Sequence, residues 1–534
     1  MGQSTQPNSK FDGLICSFEP ILGHRKYSTY FGGTTDDYIN NMYIDIPRNR
    51  LYIVGNTKGN GNYSGSCAAQ TNGSFPLCSG NGYYYKNSRC QTDREDGFVA
   101  QFNMANMSLS WSTLFGGSGQ DNIQSIAIQN DQIYIGGQTW NNNGNLNEYP
   151  SPATTHSNCS FPLSDPGSGA FFQNSNNDLN KNMFIAAFTT DRKLFWSTLC
   201  GFSVDGITDI AFNSNGDLLC LGSYCTTDRY ASSSTSPNGF GLTPTYNNGS
   251  SYFETVSGTR PSNTLMKFNA QKQLLWSTPL HFNSGNDLNA TNINRQRLSH
   301  LLVTNQNRIF IATTIDDVSA PVLNVVSCYW QPQNGSTTVP GGNSPFDNYI
   351  LSLDRNEQLN WATYFGGGDS NPNGYVTDVP TSITYQEPYL YITGSTRCVN
   401  SPYNQCITSI PNSYCDQTYY MGAQQASFTF DNFISRFRTD LLPTGLTSKE
   451  YITDCTMYPN PTTSKTYLQF VCTSRQPISL IITDVTGKQI VNSIYNNKSG
   501  NNILGLDLTG LTAGNYFVQL KGKYINITKK IIKL

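Results

Sequence analysis

Short runs in which apolar and polar residues alternate recur along the first 440 residues, and turn residues separate them. In residues 96–102, Asp-Gly-Phe-Val-Ala-Gln-Phe, the side chains of Phe98, Ala100 and Phe102 share one face. Runs at 109–115, 123–128 and 132–137 follow, with Asn and Gly between them, which predicts four short strands in succession. The string Trp-Ser-Thr-Leu-Phe-Gly-Gly, starting at Trp111, returns in worn form at Tyr27, Trp196, Trp276 and Trp361, at intervals of 84, 85, 80 and 85 residues.

A second string precedes the Trp strand, at 96–102, 182–188, 262–268, 347–353 and 431–437, and a third follows it, at 51–55, 133–137, 218–222, 309–312 and 390–394. One such unit cannot bury its own apolar face, so repetition implies stacking. Four strands repeated five times describe blades around an axis, a solution to unpaired sheet edges. The first Trp-strand copy, 26–31, is read as lacking a partner string before it, and the last partner string, 431–437, has no Trp strand after it. Pairing the two would share one blade between the ends and close a five-bladed ring.

Long insertions separate the repeats, at 58–95, 140–181, 223–261, 314–346 and 397–430, and are expected to emerge on one face. They hold nine of the 14 cysteines. One bridge is expected among Cys67, Cys78 and Cys90, and another among Cys398, Cys406 and Cys415, since a disulfide offsets roughly 2–4 kcal/mol of loop-closure entropy. After Thr439 the composition shifts, and short alternating strands at 467–472, 478–484, 503–508, 515–520 and 525–532 predict a small β-sandwich. The chain is thus read as all-β: an extension (1–23), a five-repeat propeller (24–440), a linker (441–454) and an Ig-like sandwich (455–534).

Charged residues make up only 13% of the chain and the net charge is −2, so no electrostatic footprint for nucleic acid exists. No apolar run reaches the roughly 18 residues that a membrane helix needs. Cysteine usage without C-x-x-C pairs suggests an oxidised, exported protein. The expected reconciliation with the polar N-terminus is a removed signal peptide, with Met1 foreign to the mature chain.

Catalytic signatures are thin. The four histidines, His24, His156, His281 and His300, form no metal-binding pair, and neither a nucleophile elbow nor a P-loop occurs. The seven glutamates fall mostly in insertions or turns, which disfavours the paired carboxylates of a glycosidase. An aspartate recurs after the Gly-Gly strand, at Asp36 or Asp37, Asp121, Asp205, Asp287 and Asp369. A ring of these is the one candidate cation site, for Ca²⁺, although such residues more often cap their own turns. No cofactor is otherwise expected. Aromatic residues beside cysteines, Tyr83, Tyr84 and Tyr85 and then Tyr414, Tyr419 and Tyr420, are candidate sugar-binding residues, the alternative being miniature cores beneath the disulfides.

The repeats resemble the bacterial beta-propeller repeat whose members carry an Asp-led strand, a Tyr-Ser-Thr-Tyr-x-Gly-Gly strand and a Val-Tyr-Val-Thr-Gly strand. That family is often labelled seven-bladed, whereas five copies are counted here. The tail resembles the C-terminal sorting domain of the type IX secretion system of Bacteroidota. The matching residues are Tyr458-Pro459-Asn460-Pro461, Ile482 to Lys488 with Asp484, Gly487 and Lys488, Leu506 to Val518 with Gly514 and Tyr516, and the terminal Lys529-Lys530-Ile-Ile-Lys-Leu. This resemblance implies a secretion translocon and its sortase as partners, and an extracellular or outer-membrane-surface location. Cys455 and Cys472 are extra to the motif, and a bridge between them would pin the first strand of the domain. The expected function is a surface binding or structural module, with glycan binding or adhesion as its expected role; a polysaccharide-degrading hydrolase and a purely structural surface component are the alternatives.

Overall fold

The computed structural model describes residues 10–19, 23–59, 67, 74–80, 82–87, 89, 94–140, 148–149, 159–174, 181–202, 206–223, 246–254, 263–280, 299–315, 320–323, 331, 347–366, 377–397, 431–439, 452–472, 477–496, 498, 500–522 and 525–534. It divides into two units, Met1–Asp440 and Leu441–Leu534. All regular structure described is strand, apart from the 3-10 turn Ile46–Arg48.

In the first unit, β1 (Gly13–Phe18) pairs with β2 (Arg25–Phe31). A four-stranded sheet follows, made of β3 (Asp37–Asp45), β4 (Arg50–Thr57), β5 (Asp96–Asn103) and β6 (Ser108–Phe115). The next contains β7 (Asp121–Gln129), β8 (Gln132–Trp140), β11 (Lys181–Phe188) and β12 (Leu194–Phe202), extended by the two-residue strands β9 (Glu148–Tyr149) and β10 (Leu163–Ser164). Then come β13 (Gly206–Phe212), β14 (Leu218–Ser223), β15 (Asn263–Phe268) and β16 (Leu274–Leu280), and β17 (Ser299–Val303), β18 (Ile309–Ile315), β19 (Asp347–Leu353) and β20 (Leu359–Phe365). The last sheet has three strands, β21 (Thr377–Gln386), β22 (Tyr389–Arg397) and β23 (Asp431–Arg438).

Strands packed on both sides are apolar on both faces, whereas β3 leaves Met42 and Ile44 exposed and β23 leaves Ile434 exposed. Phe98, Ala100 and Phe102 of β5 meet Ile15 and Phe31 of the preceding hairpin, while Val99 joins Ile123 and Ile126 of the following sheet. The glycine that ends the third string has a steric cause. A Cβ on Gly55 would lie 1.8 Å from the Tyr38 carbonyl oxygen, and one on Gly137 would lie 2.0 Å from that of Asn122. Both glycines sit beside a bulge in the first strand of the sheet, between Ile39 and Asn41 and between Ile123 and Ser125. In the fourth repeat Thr313 takes the glycine's place, and β17 pairs with β18 without a bulge.

The expected closing pair is corrected. Among the described residues β2 pairs with β1, and β23 pairs with β22. The extension is not featureless: Asp12-Gly-Leu-Ile-Cys-Ser-Phe18 repeats the pattern of Asp96-Gly-Phe-Val-Ala-Gln-Phe102. That copy supplies the strand before the first Trp-strand copy.

The second unit is a sandwich. One sheet has the order β24 (Ile452–Tyr458), β25 (Lys465–Cys472), β28 (Gly500–Asp507). The other is ordered β27 (Gln489–Asn496), β26 (Pro477–Asp484), β29 (Gly514–Gly522), β30 (Ile525–Lys533). Leu468, Phe470, Leu480, Ile482, Val518 and Ile531 fill the space between them. The expected Cys455–Cys472 bridge is not made. Cys455 is a free thiol packed against that core, and the strand register sets Cys472 opposite Ile452 instead.

Candidate functional site: insertion clamps and the sorting domain

The repeated Trp-Ser-Thr string holds the insertions. The outer edge of each fourth strand would be unpaired, and the insertion returns to cover it, with bridges Cys78↔Ser112, Ser164↔Ser197, Tyr246↔Ser277 and Leu323↔Ala362. Every bridge falls on the residue after the repeat Trp. The threonine that follows accepts a backbone N–H from the insertion: Lys86 at 2.8 Å on Thr113, Gln173 at 2.8 Å on Thr198, Glu254 at 2.9 Å on Thr278 and Gln331 at 2.8 Å on Thr363. The next backbone N–H then donates to the same insertion residue, from Leu114 to Lys86, Leu199 to Gln173 and Tyr364 to Gln331. In the third Trp-bearing copy that position is Pro279, which has no N–H to give.

The indoles complete the clamp and join neighbouring sheets. Nε1 of Trp111 donates to the Tyr84 carbonyl at 2.9 Å, that of Trp196 to Phe171 at 2.9 Å, and that of Trp276 to Tyr252 at 3.0 Å. The N–H groups of Tyr84, Phe171 and Tyr252 in turn donate, each at 2.8 Å, to the carbonyls of Arg192, Lys272 and Glu357. Those three residues belong to the next sheet. They occupy its turn in the left-handed conformation, with φ of 59°, 68° and 62°.

Their side chains reach back as well. Arg192, fully buried, donates to Tyr52 Oη at 2.8 Å, Asp131 Oδ1 at 2.9 Å and Gln101 Oε1 at 2.9 Å. Lys272 stands 4.9 Å from the ring centre of Tyr134, a cation–π contact, and burial pushes its amine down to about 8. Glu357 accepts from Lys267 at 2.5 Å and from Ser251 at 2.6 Å. Sequence reasoning missed this set. The signal was an aromatic pair followed by a polar residue in successive insertions, at Tyr84-Tyr85-Lys86, Phe171-Phe172-Gln173 and Tyr252-Phe253-Glu254.

The sugar-binding reading of the first tyrosine cluster is therefore corrected. Tyr84 is fully buried, with its ring against Phe115 and Phe188. Tyr83 packs half-buried on the same core, edge-on to Trp111, and Tyr85 packs on the core of the preceding junction. Cys67 bridges Cys78, the residue that itself pairs with Ser112, so the disulfide ties the loop to the sheet edge. Cys159 is also disulfide-bonded. Tyr414, Tyr419, Tyr420, Cys90, Cys398, Cys406 and Cys415 lie outside the described residues.

The recurrent aspartates cap turns where they are described. Asp37 Oδ2 accepts from Gly33 N–H at 2.6 Å, and Asp121 Oδ2 from Gly117 N–H at 2.7 Å. Burial raises both carboxyls to about 7. Beside Asp121 lies a buried ion pair, Lys86 Nζ to Asp96 Oδ2 at 2.6 Å, whose ammonium also donates to the Gly116 carbonyl. Burial pushes the Asp96 carboxyl up and the Lys86 charge opposes it. Asp205, Asp287 and Asp369 lie outside the described residues, and no cluster of three metal-type ligands occurs among the described ones. His300 is largely buried, and burial lowers its imidazole to about 4, so it is neutral in ordinary buffers.

In the second unit the sorting-motif residues converge from distant parts of the chain. Asn460, between cis peptides at Pro459 and Pro461, places its carboxamide on the last strand: Nδ2 donates to the Lys530 carbonyl at 2.8 Å and Oδ1 accepts from Ile532 N–H at 2.9 Å. Thr462 extends this pairing, donating to Ile532 and accepting from Leu534. Asp484 Oδ1 accepts from the N–H groups of Thr486 and Lys488, closing a turn whose Gly487 has φ 84°. Gly514 opens β29 opposite Lys533, and Tyr516 is buried with its hydroxyl donating to the Thr512 carbonyl at 2.8 Å. On β30, Lys529 is half-buried and Lys530 exposed.

Residues 456–534 match the family model of the secretion system C-terminal sorting domain, and residues 26–62 match the beta-propeller repeat. No curated protein matches the chain. Among solved structures, the chain is similar to a polysaccharide lyase described as an ulvan lyase, at 8% identity and TM-score 0.31, covering 94% of this chain and 95% of that one. It is also similar to a Bombyx mori beta-fructofuranosidase, at 7% identity and TM-score 0.24, covering 91% and 84%, and to a Trypanosoma rangeli sialidase, at 7% and 0.24, covering 99% and 92%. Likenesses this slight carry no argument about activity. The sorting tail marks a secreted or cell-surface protein recognised by the type IX machinery. The chain is a beta-propeller repeat protein that carries a type IX secretion system C-terminal sorting domain.

Proposed function

We propose that this protein works outside the cell as a ligand-binding surface module, with the sheets as frame and the insertions as the displayed contact surface. The observation that carries this reading is the clamp. Insertions of different sequence are anchored by one repeated set of bonds, to Ser112 and Thr113, Ser197 and Thr198, Ser277 and Thr278, and Ala362 and Thr363. Uniform anchors with variable segments between them are how a rigid scaffold presents recognition loops.

The described side chains that most resemble catalytic groups support the same reading, because they are engaged in holding the frame. Glu357 serves Lys267 and Ser251, Glu95 accepts from Asn56 at 2.7 Å, and Asp96 is paired with Lys86. An extracellular polysaccharide is the ligand class proposed, since an exported surface with little charge favours neutral polar partners over ionic ones.

The test is a binding screen of the full chain against bacterial and algal polysaccharides, with Ca²⁺ and with chelator, while soluble sugar is assayed. Saturable binding without sugar release is expected. Release would replace this reading with a polysaccharide-degrading activity, and silence on every glycan would overturn the ligand class.

A further inference from the structure

Within each four-stranded sheet the turn between its first and second strands and the turn between its third and fourth share one end, and the insertion leaves from the other. Between neighbouring sheets these turns enclose a space that each junction fills in its own way. At the first junction the Arg192 guanidinium occupies it, against the Tyr52 ring, Gln101 and Asp131. At the second the Lys272 ammonium stands over the Tyr134 ring. The third junction has neither filler. Register sets Leu219 opposite Lys267 as it sets Tyr52 opposite Gln101 and Tyr134 opposite Ala187, so an isobutyl group stands where the other two have a phenol ring. Glu357 takes the turn position that Arg192 and Lys272 hold elsewhere.

What these shorter side chains leave is a cavity of about 30 Å³ between the turns at 213–217, 304–308 and 354–358. One water needs roughly 10–15 Å³ of such room, so the cavity admits two oxygen atoms. Leu219, Val303 and Ile309 form its apolar side. On the polar side Lys267 is held by Glu357 at 2.5 Å and by Asp217 at 3.1 Å. Asn307 Oδ1 accepts from Ser214 N–H at 2.8 Å, which leaves the amide Nδ2 for the cavity. Arg355, exposed at the mouth, has no partner among the described residues. Each Glu357 oxygen takes one bond, from Lys267 or from Ser251, and has a lone pair left.

We propose that this cavity is a sugar subsite that takes two adjacent hydroxyls of one neutral sugar ring. A hydroxyl both donates and accepts, which matches Arg355 and Asn307 as donors and Glu357 as acceptor. The cations Lys267 and Arg355 are balanced by the carboxylates Glu357 and Asp217, so no net charge is left to hold an ion. The room suits a diol and excludes a whole ring, and the apolar side chains meet the C–H groups that carry the two hydroxyls. The subsite lies at the strand ends away from which the insertions leave, so it neither requires nor follows from ligand binding by the insertions.

Hydrogen–deuterium exchange of the full chain, titrated with the methyl glycosides of mannose, galactose and glucose, tests it. At least one glycoside is expected to slow exchange saturably in residues 213–217, 304–308 and 354–358. Arg355→Ala and Asn307→Asp should each raise the concentration for half-protection roughly tenfold, as the loss of one hydrogen bond to a charged group or from a buried amide does. Asn307→Asp keeps the acceptor for Ser214 and a residue type that tolerates a φ of 62°, and Arg355 holds no bond in the described fold, so the unliganded thermal midpoint should stay in place. Absence of protection by all three glycosides overturns the proposal. So does protection confined to other segments, and so does protection at these turns that both variants leave unchanged. Protection by acetate or sulfate in place of the glycosides also overturns it, because it would assign the cavity to an anion.

Discussion

The indole of Trp111 donates to the carbonyl of Tyr84 across an insertion, and the N–H of that same Tyr84 donates to Arg192 in the next sheet. One residue of a loop thereby joins two blades, and the arrangement recurs at Phe171 and Tyr252. Trp111→Phe keeps most of the apolar volume but leaves the Tyr84 carbonyl without its donor. Leaving a buried acceptor unpaired costs about 1–3 kcal/mol. The expected result is a lower midpoint in denaturant unfolding, with faster amide exchange in residues 82–87 than in β26. Unchanged exchange there would show that the indole serves packing alone.

Stability should fall as pH rises from mildly acid to mildly alkaline. Asp37 and Asp121 are raised by burial to about 7 from the ordinary value of 3.8. Between those values the folded chain holds protons that the unfolded chain has released, so each carboxyl opposes folding increasingly as pH climbs, until the folded form ionises near 7. The slope from one such group approaches about 1.4 kcal/mol per pH unit. Thermal unfolding should show a higher midpoint at pH 5.5 than at pH 8. Asp121→Asn, which keeps an acceptor for Gly117, should flatten that trend; an equally steep trend in the variant would assign it to other groups.

The sorting domain offers a third measurement. Asn460 both donates to Lys530 and accepts from Ile532, so Asn460→Asp sets a carboxylate oxygen against the Lys530 carbonyl. Loss of the bond and the added repulsion should cost roughly 1–3 kcal/mol in the second unit. The expected outcome in a type IX-competent host is retention of the variant in cells with reduced surface or medium levels, and faster exchange in β30. Normal export with a loosened β30 would separate the signal from the pairing.

The repeated strings and tail motifs determined much by themselves: an all-β chain, the succession of four strands within a repeat, and the tail as a sorting domain. Strand periodicity and turn residues act over a few positions, so they are legible in a linear reading. Some motif features also had local physical causes, such as Gly55 beneath the Tyr38 carbonyl and Asp121 capping the Gly117 turn. What the insertions do was decided only in three dimensions. Tyr84 looked like a ligand contact because aromatic residues beside cysteines suit either sugars or cores, and only its partners, Trp111, Phe115 and Phe188, choose between them. Arg192 gave no signal, since its partners Tyr52, Gln101 and Asp131 lie 140, 91 and 61 residues away. Pairing of Asn460 with Lys530 and Ile532 spans a whole domain in the same manner. Side chains that satisfy buried polar groups across blades depend on the packing of sheets, and that packing exists only once the chain has folded.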